Sequence, residues 1–148
     1  MKFVAVVTRT LREGKTYDDY RRAWFHSNGF GVPTQMYTVV NAFNPREIIS
    51  IGIIDTEVDQ LSGLLAIDVE DRLANPLDEV IEEAIVRTFG VVAAVDDFSA
   101  AGALDYVEPS VDGVAADPAE LPDTLAAIAA MVSQASDDRD RAKPSARE

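Results

Sequence analysis

The chain contains no cysteine, which excludes disulfide frameworks, thiolate zinc sites and a cysteine nucleophile. It has a single histidine, His26, so no site can draw on two. Positive charge is also scarce: 13 Lys and Arg stand against 26 Asp and Glu, a formal charge of −13. That balance repels a phosphate backbone, and no basic patch in the sequence offsets it, so nucleic acid is not an expected partner. Anionic membrane surfaces are disfavoured for the same reason. No run approaches the ~18 apolar residues of a membrane span. The apolar opening Phe3 to Val7 stops at Thr8-Arg9-Thr10, too soon for a signal peptide. A soluble, cytoplasmic protein is the expectation. G-x-S-x-G, G-x-G-x-x-G, P-loop and H-E-x-x-H motifs are missing, and no spacing supports a metal site. Neither a cofactor nor a metal is therefore expected.

What is present fits one domain: 148 residues, 47% of them hydrophobic. A chain of this length buries roughly 68–70% of its unfolded surface without staples. Phe3–Thr10 is rich in β-branched residues and reads as a strand. Thr16, followed by Asp18 and Asp19, marks a helix start, and Asn28-Gly29 its end, so the first helix is expected to run to about Ser27. Thr34–Phe43 and Glu47–Asp55 read as a hairpin joined at Asn44-Pro45. Thr56–Arg87 reads as helical in two or three pieces, with Thr56 and Asp68 as caps. A fresh helix is expected at Asn75-Pro76, with a buried stripe of Leu77, Val80, Ile81 and Ala84. Phe89–Val95 reads as a fourth strand, and Ala103–Val107 as a possible short fifth.

Residues 108–136 read as a linker and an amphipathic helix with Leu121, Leu125, Ile128 and Val132 on one face. Residues 137–148 carry four basic and four acidic side chains and a proline, the texture of a disordered tail. Residues 1–107 thus form the α+β domain. Its β-α-β-β-α-β order matches the ferredoxin-like pattern, in which right-handed crossovers put both helices on one face of an antiparallel sheet. The strands do not alternate as one-sided cover would require. Ile49, Ile51 and Ile53 line one face, and Ile48, Ser50, Gly52 and Ile54 the other. A second copy of the chain is expected to cover the leftover face; the alternative is that the C-terminal helix does so in a monomer.

The order of elements and the segment Thr16-Tyr17-Asp18-Asp19-Tyr20-Arg21-Arg22-Ala23-Trp24 resemble the dimeric α/β-barrel superfamily, and within it EthD-type and antibiotic-biosynthesis-monooxygenase-type proteins. The resemblance implies a homodimer and a cofactor-independent oxygenase, isomerase or cyclase-like reaction inside a barrel. EthD-type proteins commonly place a histidine four residues after the first-helix tryptophan. Here that position is Asn28, and the histidine is His26.

At ~100° per residue, Tyr17, Tyr20, Ala23, Trp24 and Ser27 share one arc of the first helix. His26 falls nearly opposite, on the solvated side, where it is either a general base or a plain surface histidine. Tyr20 and Trp24 are core residues or a ligand platform, and Asn28 is a helix terminator or a ligand contact. On the sheet, Tyr37, Asn41 and Phe43 share a face of the second strand, with Ser50 and Thr8 on neighbouring strands. Polar groups set among apolar ones are what a small-molecule site needs. The expected site therefore has His26, Asn28 and Asn41 as catalytic groups, and Tyr20, Trp24, Tyr37, Phe43 and Ser50 as substrate contacts. The competing expectation is a non-catalytic ligand-binding or assembly module.

Overall fold

The computed structural model describes residues 1–106 and 117–143. Its elements run β1 (Lys2–Leu11), α1 (Tyr17–Ala23), β2 (Thr34–Asn41), β3 (Asn44–Asp55), α2 (Val58–Ala74), β4 (Ile81–Val91) and α3 (Leu121–Ala142). The four strands form one antiparallel sheet in the order β2-β3-β1-β4. The architecture is α+β, with a four-stranded sheet, two helices within the β-α-β-β-α-β order and a third after it.

Register decides which side chains meet the helices. Phe3 pairs with Ile54 and Val91, Ala5 with Gly52 and Phe89, Val7 with Ser50 and Arg87, and Arg9 with Ile48 and Ile85. Directly paired residues share a face, so this set forms the helix side. Two core clusters stand on it. Leu11, Tyr20, Ile48, Leu77, Val80 and Ile81 close one end, under α1. Phe3, Leu61 and Ile128 close the other, joining the sheet to α2 and α3. α3 therefore packs beside α2 on the side already covered and leaves the other face open. On that face Tyr37 is 52% exposed, Val39 40% and Val86 66%.

Several local expectations are overturned. α1 stops at Ala23, because Trp24 turns extended (ψ 118°) and the backbone amides of Ser27 and Asn28 find their acceptor on Asp71 of α2. The start of α1 is as expected: Thr16 and Asp19 form a reciprocal capping box. The hairpin turns at Ala42-Phe43, two residues before Asn44-Pro45, where Asn41 Oδ1 accepts the Phe43 amide at 2.9 Å. α2 is one helix; Asp68 lies inside it, and Thr56 donates to Gln60 rather than capping. Asn75-Pro76 ends α2 instead of starting a helix, since proline disfavours helical backbone at the residue before it. The Arg72 guanidinium donates to the Asn75 carbonyl there at 2.9 Å. Ile81 and Ala84 belong to β4, which begins eight residues before the expected Phe89 and ends at Val91. Ala103–Tyr106 is not a strand, and Val107 lies outside the described residues. α3 continues to Ala142, beyond the expected end at 136, and its inner face uses Thr124 where Leu125 was expected. Residues 144–148 of the expected tail lie outside the described residues. Among the described residues, no helix is long and apolar enough to cross a membrane.

Candidate functional site

The sheet, α2 and α3 enclose a cavity of about 70 Å³. β1 contributes Ala5, Val7 and Arg9, β3 Ser50, and β4 Arg87 and Phe89. α2 contributes Leu65, Asp68, Val69 and Arg72, α3 Val132, Ala135 and Arg139, and Trp24 and Met36 complete the wall. Four guanidinium groups thus converge on one small space in a chain of net charge −13. Asp68 is the only carboxylate among them.

Arg9 is 7% exposed. One of its terminal nitrogens donates to Tyr20 Oη at 3.2 Å and to Ser50 Oγ at 3.1 Å. Its Nε finds no partner among the described residues. The Arg72 guanidinium lies 5.5 Å from the Trp24 ring centroid, a cation–π stack that also fixes the indole. Burial pushes the Arg87 pKa down to about 10, and the like charges of Arg139 and Arg9 push the same way. Arg72 is lowered too, by burial first and by Arg9 next. Arg72 and Arg87 nonetheless remain cationic near neutrality. Among the described residues, none of the four forms an ion pair within 4.0 Å.

A second, apolar chamber of about 70 Å³ adjoins the first, lined by Phe3, Phe30, Ile54, Leu61 and Ile128 among others. The two share Ala5, Met36, Leu65, Asp68, Phe89 and Val132. An open vestibule of about 570 Å³ lies over the loop 28–33 and is walled by Trp24, His26, Thr34 and Met36.

His26 stands at the edge of these spaces. Its Nδ1 is 2.6 Å from Asp71 Oδ2 and 2.7 Å from the Asn28 carbonyl. Both neighbours are acceptors, so Nδ1 must carry the proton. Nε2 is buried, bonds to nothing among the described residues, and lies 3.6 Å from Asp68 Oδ1, which is beyond a hydrogen bond. Phe30 packs against the ring at 4.9 Å between centroids. Asp71 is 1% exposed. It accepts from the Ser27 amide and hydroxyl, the Asn28 amide and His26. The Ser27 hydroxyl bond, followed by the backbone amides of Asn28 and Ser27, holds its pKa down to about 2. The result is a carboxylate that orients the imidazole through Nδ1. His26, Asp68 and Asp71 do not form a metal site; no group of three suitable ligands occurs among the described residues.

Of the expected site residues, Tyr20, Trp24 and Ser50 gather at the arginine-lined cavity. His26 leaves the solvated face, because the helix that would have carried it there ends at Ala23; its side chain is 12% exposed. Asn28 lines the vestibule, and its amide and carbonyl hold Asp71 and His26 in place. The other three fall away. Tyr37 pairs with Ile51, on the open face, and its hydroxyl donates to Gln35. Asn41 serves the hairpin, bonding Glu47 and Phe43. Phe43 is at the hairpin tip, 99% exposed. Ser50 pairs with Thr38 and Val7, so it faces the helices, away from Tyr37 and Thr8. The residues that sequence reasoning missed are Arg9, Arg72, Arg87, Arg139, Asp68 and Asp71. Only Arg9 carries a local signal: a single charge within an apolar strand.

Comparison with protein-family models, curated proteins and solved structures finds no match.

Proposed function

We propose that the chain is a cofactor-independent small-molecule enzyme of the ferredoxin-like, dimeric α/β-barrel type. It acts on an apolar or aromatic compound held between sheet and helices, with His26 as the general base. The observation that carries this reading is the His26–Asp71 pair: an imidazole held through Nδ1 by a buried carboxylate, with an Nε2 that bonds to nothing among the described residues, on a side chain that walls the vestibule. Such a pair removes or returns a proton without a cofactor. Trp24 and Met36 form the wall shared by vestibule and cavity and are the apolar contacts offered to a substrate.

The strand order and the single covered face support the fold part of the proposal. The bare face supports self-association: Val4, Val6, Ile49, Ile51, Ile53 and Val86 form an apolar surface that a twofold copy would cover.

The test is a mass-spectrometric turnover screen of aromatic polyketide and catechol-like compounds, with His26→Gln run alongside the unaltered protein. Turnover by the wild type and a drop of 10²-fold or more in the variant are expected. Because His26 is the only imidazole in the chain, ¹⁵N NMR of that ring reads the tautomer directly, and a proton on Nε2 alone at neutral pH would refute the assignment. The same open face favours a second reading, a non-catalytic ligand-binding or assembly module. Bound compound carried through purification, with no turnover of it, would select that alternative.

A further inference from the structure

The cavity between sheet and helices favours a guest that carries negative charge beside its apolar or aromatic body. Removing guanidinium groups from water is costly unless an opposite charge and hydrogen bonds replace the water. Here four arginines line the space with one carboxylate, Asp68, whose side chain is 53% exposed and 3.6 Å from His26; Asp71 and Asp140 offset Arg72 and Arg87 from outside the lining. Arg9 is the most constrained of the four. It rises from the sheet floor, is held on one side by Tyr20 and Ser50, and is left with a donor, Nε, that nothing among the described residues accepts. A buried donor of that kind is costly to leave unmade. The adjoining chamber is the opposite, an almost wholly apolar space behind the shared wall of Met36, Leu65 and Phe89.

We propose that the two chambers together accept a small amphiphilic acid. Its carboxylate lies among Arg9, Arg72, Arg87 and Arg139, and its apolar body extends toward Phe3 and Ile54. The anion completes the donors the protein leaves open, through charge-assisted hydrogen bonds of the strong class. The cavity focuses positive potential in a protein whose outer surface is negative, so an acid is drawn inward once it reaches the mouth. Two spaces of about 70 Å³ each hold a carboxylate with a short chain or a single ring, the small end of the compounds screened above. The inference rests on the small-molecule reading above and narrows its substrate class.

The test uses the full chain and three acids, hexanoate, benzoate and phenylacetate, each paired with its primary amide. Binding is read from the fluorescence of Trp24, the only tryptophan, and from the melting temperature. At least one acid is expected to bind at least tenfold more tightly than its amide, and Arg87→Met to erase that preference. Arg9→Met is the second variant, with Arg87→Met retained because Arg9 also ties Tyr20 to Ser50 and its loss can harm folding. Amides binding as well as acids would overturn the anionic assignment and leave the small-molecule reading standing. Inorganic phosphate binding as tightly as every acid would overturn the amphiphile. No binding by any acid or amide would overturn both.

Discussion

The carboxylate of Asp71 stands 2.6 Å from the imidazole of His26, and the two reach one another from different elements. Asp71 is near the end of α2; His26 is on the irregular segment that leaves α1. The same carboxylate takes the amides that α1 would have used had it continued, so the end of the helix and the orientation of the imidazole have one cause.

Acid sensitivity follows from that carboxylate. Its folded pKa is depressed to about 2 from an ordinary 3.8. Its stabilisation is therefore essentially complete above about pH 5 and is lost progressively as pH falls through 3.8 toward 2, where the native carboxylate must take a proton. Urea midpoints measured from pH 6 to pH 2 are expected to fall more steeply in the wild type than in Asp71→Asn. At pH 7 that variant melts roughly 5 °C lower or more, since the neutral amide is a weaker acceptor for four donors. Parallel curves for the two proteins would contradict the assigned role.

Tyr20 separates packing from hydrogen bonding. Tyr20→Phe keeps the ring among Leu11, Ile48 and Leu77 and removes only the hydroxyl that accepts from Arg9. A loss of about 1 kcal/mol in urea unfolding is expected. Tyr20→Ala empties the site and costs about 3–5 kcal/mol.

The inner face of α3 can be read from two alanine variants. Ile128 is 4% exposed and packs with Phe3 and Leu61, whereas Leu125 is 43% exposed. Ile128→Ala is expected to cost about 2–5 kcal/mol and Leu125→Ala no more than about 0.5 kcal/mol. Similar losses at both positions would mean that the helix is rotated or docked elsewhere.

Self-association through the bare sheet is tested by charge. Ile51 sits on β3 with Val6 and Tyr37 as cross-strand neighbours on the open face. Sedimentation velocity is expected to give a dimer for the wild type and a monomer for Ile51→Lys, with unchanged circular dichroism. A wild type that stays monomeric at high concentration would sink the idea.

β1, β2 and β3 are legible because each has a β-branched run, and α1 because it has a chemically explicit start at Thr16. β4 is not, because Leu77, Val80, Ile81 and Ala84 satisfy a helical period as well as a strand would, and pairing of Ile85 with Arg9 far upstream decides between them. The parity of each strand could be read, but not which parity met the helices. Register alone puts Ser50 on the helix side and Tyr37 on the open face. Arg72, Arg87 and Arg139 are ordinary charged residues in their own segments; only the assembled sheet and two helices bring them together. A regular helix past Ala23 would put His26 in solvent; long-range capture of the Ser27 and Asn28 amides by Asp71, which no local pattern signals, turns it inward.

Met36 borders the vestibule and both inner chambers, and a methyl carbon built on Gly52 would come within 3.1 Å of its Cε. One flexible thioether and the bare backbone opposite it therefore set where the three spaces meet. Exchanges at positions 36 and 52 would change the sizes of those spaces while the clusters at either end of the sheet stay untouched.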